Sequence, residues 1–290
     1  MQKYLRAVGF SEIRTKKQEQ EFVKQSIIKA KERNTVKKLQ GTVYAEYRCE
    51  IAKHIGINVC GEIDNENIFI YSHYIPYARG RYISSRENIT FEIHKDNISF
   101  SGICDETKLG ISLIFYLQNA LDYIKVWNKI MDMEVGVVLS ALALEGKIIM
   151  QVEKTAEDRS IAIDINNIKS NLIKQARKGD ERAVELLTKE ENNIYNTIPQ
   201  KIQELDVYTI VDSHIIPYGT ECDEYMILGE ITSFFHTKNK FTQEWLTVMT
   251  LVCNDVTIEL CINDKDLVGE VEVGRRFKGI VWLQGELLMV

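Results

Sequence analysis

Proline is scarce in this chain, with three residues among 290. A Pro-rich linker or stalk is thereby excluded, so any domains are joined by short or helical connections. Long apolar runs are missing too. The most apolar windows, Gly136 to Leu144 and Leu109 to Leu117, are nine residues each, whereas a membrane-spanning helix needs about 20. The first thirty residues interleave Lys3, Arg6, Arg14, Lys16, Lys17 and Lys24 with Glu12, Glu19 and Glu21, which leaves no stretch of signal-peptide character. Six cysteines (49, 60, 104, 222, 253 and 261) sit at irregular spacings and form no C-x-x-C pair. They are expected to be reduced, mostly buried thiols of a cytoplasmic protein with no membrane contact.

The common catalytic signatures are absent as well: no G-x-x-x-x-G-K-[ST] phosphate loop, no G-x-G-x-x-G after a strand, no G-x-S-x-G elbow and no H-E-x-x-H. These absences count against the usual nucleotide, dinucleotide, serine-hydrolase and zinc-protease chemistries. His54, His73, His94, His214 and His236 are scattered singly, with no cysteine at zinc-ligand spacing. No metal and no cofactor are expected.

What is present is the composition of an ordinary globular protein, 45% hydrophobic and 27% charged. The charge is unevenly spread. Residues 1–54 carry 13 basic and 6 acidic side chains, 55–205 carry 17 and 22, and 206–290 carry 6 and 14. Such asymmetry means a contact between the two ends, self-association of unlike surfaces, or two separately solvated faces, of which the last is the usual outcome.

Residues 16–33 contain no Gly or Pro and place Val23, Ile27 and Ala30 on one face beside Phe22, which predicts a helix. From Thr42 to Ile75 the chain turns to short Val-, Ile- and Tyr-rich runs broken at Asp64–Asn67, the pattern of strands and hairpins. With Asp96-Asn97 as a two-residue turn, position 93 faces 100 and Phe91, Ile93, Ile98 and Phe100 share one face. Leu113, Leu117, Ala120, Ile124, Trp127 and Met131 recur at steps of four and three, predicting a long helix over 109–133. Val135–Leu144 and Lys147–Val152 read as a strand pair turning at Glu145-Gly146. A helix hairpin is expected over 165–205, with Gly179 ending one helix, Asp180 capping the next, and Pro199 ending or kinking it.

From Val207 onward the pattern is nearly all strand. Asn254-Asp255 is the expected turn of a hairpin with Met249, Leu251, Val256, Ile258 and Leu260 on one face. The expectation is therefore an α+β protein of antiparallel sheets with packed helices: an α+β domain over 1–154, a helical connector over 155–205, and a small five-stranded barrel-like or sandwich domain over 206–290.

Three groups of residues carry candidate chemistry. Ser72-His73-Tyr74-Ile75-Pro76-Tyr77 and Ser213-His214-Ile215-Ile216-Pro217-Tyr218 share Ser, His, Ile, Pro and Tyr in register. They read either as two halves offering His73, Tyr77, His214 and Tyr218 to one cleft, or as coincidence or a reused strand-end unit, since the flanks do not match. Glu221, Asp223 and Glu224 read either as a hard-cation or acid–base cluster or as a plain solvated loop. Arg275, Arg276, Lys278 and Trp282 read either as a base-stacking and phosphate-neutralising platform or as core and ion-pair residues. Against the platform stands the acidic balance of the region, which argues against a nucleic acid partner.

The segments Pro217-Tyr218-Gly219, Glu221-Cys222-Asp223, Cys253-Asn254-Asp255, Ile262-Asn263, Asp266-Leu267, Gly269-Glu270, Gly274-Arg275-Arg276-Phe277-Lys278-Gly279 and Trp282-Leu283-Gln284-Gly285 resemble a bacterial family described only as a domain of unknown function. Ala176–Asp180 and Ala183 are similar to it too. The resemblance implies a bacterial cytosolic protein and assigns no role to any residue. The leading expectation is a non-catalytic protein that binds a partner protein or assembles with itself. One alternative is a binder of a small anion or single-stranded nucleic acid through Arg275, Arg276, Lys278 and Trp282. The other is an enzyme using His73 and His214 with Tyr77, Tyr218 and Glu221.

Overall fold

The structure is a computed structural model. It describes residues 3–37, 43–87, 89–93, 100–106, 109–122, 135–150, 213–220 and 222–289, together with short pieces at 175–176, 179–180, 182–183 and 186. The described part is mostly strand with predominantly antiparallel pairing.

An N-terminal 3-10 helix, Lys3–Val8, buries Tyr4, Leu5, Ala7 and Val8. Helix α1 follows at Lys16–Lys29. Its start is fixed by a capping box in which the Gln18 backbone N–H donates to Thr15 Oγ1 and the Thr15 N–H to Gln18 Oε1. Phe22 and Val23 are buried as expected from their spacing. The helix stops short of residue 33 because Glu32–Lys37 instead forms strand β1. Strands β2 (Val43–Ala52), β3 (Ile55–Ile63) and β4 (Phe69–Ala78) complete a four-stranded antiparallel meander in the order β1-β2-β3-β4. The β3–β4 turn lies at the expected break, where Asp64 Oδ1 accepts the Glu66 and Ile68 N–H groups.

A second, mixed sheet of ten strands holds β5 (Ile89–Ile93), β6 (Phe100–Glu106), β7 (Ile111–Leu117), β8 (Val135–Ile149), β9 (His214–Pro217), β10 (Glu224–Lys238), β11 (Trp245–Cys253), β12 (Val256–Asn263), β13 (Leu267–Val268) and β14 (Arg276–Met289). Strand β8 pairs parallel with β12 and antiparallel with β14. The ladders β8–β12, β12–β11, β11–β10, β10–β14 and β14–β8 therefore form a closed circuit. Strands from both sides of residue 154 share this sheet.

Two expected registers are met. Ile93 faces Phe100, although the 94–99 turn lies outside the described residues. Cys253 faces Val256, and Asn254 and Asp255 both take positive φ (47° and 64°), as a two-residue primed turn requires.

Two expectations are corrected. Residues 111–117 are strand, not helix, with alternating burial that sinks Leu113, Phe115 and Leu117; residues 123–134 lie outside the described residues. A step of four puts two residues on one face of a strand as well as of a helix, so Leu113 and Leu117 satisfied both patterns. Glu145-Gly146 is not a turn but the interior of a 15-residue strand. Gly146 is required there by the Phe277 ring, which a Cβ at that position would strike.

Of the helix hairpin, the described pieces show Gly179 at φ +89° and Asp180 Oδ1 accepting the Arg182 and Ala183 N–H groups, the stop and cap expected. Pro199, most of 155–205 and residues 207–212 lie outside the described residues.

One core, containing Phe115, Tyr225, Ile227, Leu251, Ile258 and Phe277, lies within the ten-stranded sheet. A second joins Leu5, Phe10, Phe22, Ile51 and Ile57 to Leu142, Leu246, Val248 and Trp282, and so glues the meander, α1 and the N-terminal segment to the larger sheet. A polar seam crosses the junction. Gln118 Nε2 donates to the Ala78 carbonyl and to Gln284 Oε1, Gln284 Nε2 to the Pro76 carbonyl, and Ser140 Oγ to the Ala78 carbonyl.

Candidate functional site

The two copies of the Ser-His-x-Ile-Pro-Tyr segment lie in different sheets, on β4 and β9. Among the described residues each strand has a single partner, β3 for β4 and β10 for β9, which is where a residue without an N–H is tolerated. The copies differ in what they do. Ser213 Oγ accepts the Asn254 N–H and donates to Asn254 Oδ1, pinning the β11–β12 turn, whereas Ser72 is exposed and lies 3.3 Å from His73 Nδ1. Tyr77 is buried and Tyr218 exposed. His214 is half-buried beside Lys278; burial first, and that cation second, push its pKa down. Glu221 lies outside the described residues.

In the acidic loop and the last strand, the described candidate residues are engaged within the chain. Glu224 is buried and accepts hydrogen bonds from Lys3 Nζ (2.6 Å) and the Tyr4 hydroxyl (2.7 Å). Asp223 accepts from the indole N–H of Trp282 at 2.6 Å. The Trp282 ring, only 7% exposed, stacks on Tyr4 at 5.3 Å. A buried indole is no platform for a base. Arg276 is buried with its Nε and Nη2 donating to the Met150 carbonyl, and Arg275 pairs with Glu272 at 2.9 Å. Lys278 is half-buried on β14.

The opposed charges of the two ends meet inside the chain. Arg6 holds Asp266 in a two-pronged pair (2.7 and 2.6 Å), and Lys3 reaches Glu224. Their carriers pack directly, the N-terminal 3-10 helix touching β8 and β12.

The cluster that sequence reasoning missed lies where the meander meets β14. Arg48 on β2 is 6% exposed, flanked by Glu46 and Glu286 at 3.7 Å each. Arg79, just past β4, takes Glu32 through both terminal nitrogens (3.2 and 2.8 Å) and approaches Glu286 at 3.4 Å. Hydrogen bonding to Arg79 lowers the Glu32 pKa, and the same bond raises that of Arg79. The Tyr77 ring lies against both guanidiniums, at 5.9 Å from Arg48 and 5.5 Å from Arg79. Burial pushes the Tyr77 phenol up to about 12, so it stays a neutral donor at neutral pH. Above this floor opens a hollow of about 60 Å³, rimmed by Lys31, Glu32, Glu50 and His54. A smaller one of about 10 Å³ adjoins it, lined by Arg48, Asn58, Tyr77 and Gln118 among others.

The signal for this cluster was present in the chain: Glu46 and Arg48 stand two apart, hence on one face, in a strand otherwise rich in Tyr, Ala, Cys and Ile. A charged pair on that face is there either for a partner across the sheet or for a ligand. Among the described residues no group of three His, Cys, Asp or Glu is placed to hold a metal ion, and no helix is long and apolar enough to cross a membrane.

The geometry defines a β-rich protein of two sheets, with a chain of alternating charges at their junction that is buried at Arg48 and Glu46 and partly exposed at Glu32, Arg79 and Glu286. A family model described as a domain of unknown function (E. rectale gene description, DUF3881) matches residues 5–285, and the chain belongs to that family. No curated protein and no solved structure matches it.

Proposed function

We propose that this is a non-catalytic cytoplasmic binding protein that assembles with a second copy of itself through the open edge of β4. The observation that carries the reading is the exposure of Ile70 (55%) and Tyr71 (42%) on a strand with no described neighbour on its outer side, and of Ile68 (55%) in the turn that leads into it. Unpaired edges are normally blunted by charge or proline. The opposite edge, β1, carries exposed Glu32, Arg33 and Lys37, and on β4 itself Pro76 removes a donor only beyond the exposed segment. From Ile68 to His73 there is no acidic residue, lysine or arginine, so two copies laid antiparallel bring no like charges into opposition. An isologous pairing of this kind closes on itself and forms no fibre.

Native mass spectrometry across protein concentrations tests the reading. A dimer in the natural chain and a monomer in Ile70→Lys/Tyr71→Lys, at unchanged thermal stability, is the expected pair of results. A natural chain that stays monomeric throughout, or a variant that dimerises equally, overturns it.

A further inference from the structure

We infer that the hollow above Arg48 and Tyr77 binds one oxyanion group, a carboxylate or a phosphate. This site is separate from the β4 edge and does not depend on it.

The argument starts from donors left over. A guanidinium has five N–H donors, yet among the described residues Arg48 makes a single hydrogen bond, from Nη2 to the Gln118 carbonyl at 2.5 Å. Its two carboxylate neighbours stand at 3.7 Å, beyond hydrogen-bond reach, and its buried Nε has no acceptor. A buried charged group so sparsely bonded is uncommon, because each unmet donor carries a desolvation cost. Arg79, in contrast, donates through both terminal nitrogens to Glu32, and its Nε, which makes no hydrogen bond, stands 3.4 Å from Glu286. The second donor is the Tyr77 hydroxyl, which makes no hydrogen bond among the described residues. It is laid over Gly56, where any Cβ would collide with it, so the glycine admits the ring to this position. At the rim, Lys31 contributes an exposed cation with no ion pair among the described residues, and His54 a ring N–H.

The acids around the hollow are already engaged. Glu32 is held by Arg79 and Glu50 by Lys240 at 2.9 Å. Counting Glu46, Glu286 and Lys240 with the lining residues, the formal charge is zero, so the site offers directed donors and little net field. That favours a monoanionic oxygen group over a polyanion and makes affinity modest. A hollow of about 60 Å³ admits such a group and a water or two, but no nucleotide.

Isothermal titration of the full-length protein with inorganic phosphate and, separately, with acetate, at constant ionic strength held by chloride, tests the site. Saturable binding of either anion is expected; phosphate alone points to a tetrahedral source, acetate alone to a carboxylate, both to the shared chemistry. Tyr77→Phe removes one donor and should weaken binding about fivefold to tenfold. Lys31→Ala, at an exposed position that leaves the fold intact, should weaken it too. A weakening in either variant supports the inference. No saturable binding of either anion, or unaltered binding in both variants, overturns it. The mass of the natural chain in solution is unaffected by these outcomes, so failure here and failure at the β4 edge are separable.

Discussion

Phe115 offers the sharpest test of how the larger sheet is packed. It sits on β7 between two neighbours that each present a glycine: Gly102 lies opposite it on β6, and Gly285 lies on β14. A Cβ at Gly285 would stand 2.6 Å from the ring, and one at Gly102 would come closer still. Neither glycine has a positive φ, so the ring, not the backbone, requires them. Gly102→Ala should therefore cost about 1–3 kcal/mol, the range for overpacking, reduced somewhat by the lower entropy of the unfolded chain. Phe115→Ala should cost about 3–5 kcal/mol, because the ring is fully buried and the strands on either side hold the cavity open. The informative protein is the double variant. The new methyl then enters the space the ring vacates, so the cost of the double variant should fall short of the sum of the two single costs by about 1–3 kcal/mol. Urea unfolding of the four proteins, with slopes compared to check two-state behaviour, supplies the cycle. Additivity within about 0.5 kcal/mol, or a neutral Gly102→Ala, would refute the argument that the ring dictates the glycine.

Two further outcomes follow from titration. Burial raises the pKa of Glu244, but hydrogen bonds from Ser11 and Asn263 (2.6 Å each) and from Lys265 outweigh it and leave the value lowered. A depressed carboxylate contributes stability that is present above its unfolded pKa and lost as pH falls through the folded one. Urea midpoints of the natural chain and of Glu244→Gln should therefore converge on acidification, and a gap constant from about pH 7 to pH 3 would sink the assignment. Among the six cysteines Cys222 alone is exposed, while burial raises the other five, Cys104 to about 11 and Cys253 to about 12. Iodoacetamide at about pH 8 should add one carbamidomethyl group to the folded protein by intact mass, and rapid addition of two or more would contradict that burial.

Local signals were readable where a residue type has only one conformational use. Asn254-Asp255 accepts positive φ at both positions, Asp180 caps, Gly179 stops a helix, and Asp64 folds its own turn; each depends on a few neighbouring residues. Reading failed where two structures share a period or where a distant side chain decides. Leu113 and Leu117 fit helix and strand alike. The alternation of Ile111, Leu113, Phe115 and Leu117 against Ser112, Ile114 and Tyr116 was the better guide, and the apolar members of the second set obscured it. Glu145-Gly146 looks like a turn until Phe277, more than a hundred residues later, explains the glycine.

The same contrast separates the candidate sites. Short-range clusters such as the acidic loop and Gly274–Gly285 drew attention because their charges are adjacent in the chain, and there Glu224 bonds to the N-terminal segment and Asp223 to the last strand. The Arg48 cluster draws Glu32 and Glu46 from the first two strands, Arg79 from beyond the fourth, and Glu286 from the last. No window of sequence contains it. Only Glu46 and Arg48 are recognisable as charges misplaced in an apolar strand, and burial converts that misplacement into a constraint: a guanidinium taken out of water must find acceptors nearby. Arg48 finds two carboxylates for its charge and one carbonyl for its five N–H groups. Charge neutrality and hydrogen-bond satisfaction are separate conditions. A site that meets the first without the second is one where an added oxygen can lower the free energy of the folded state.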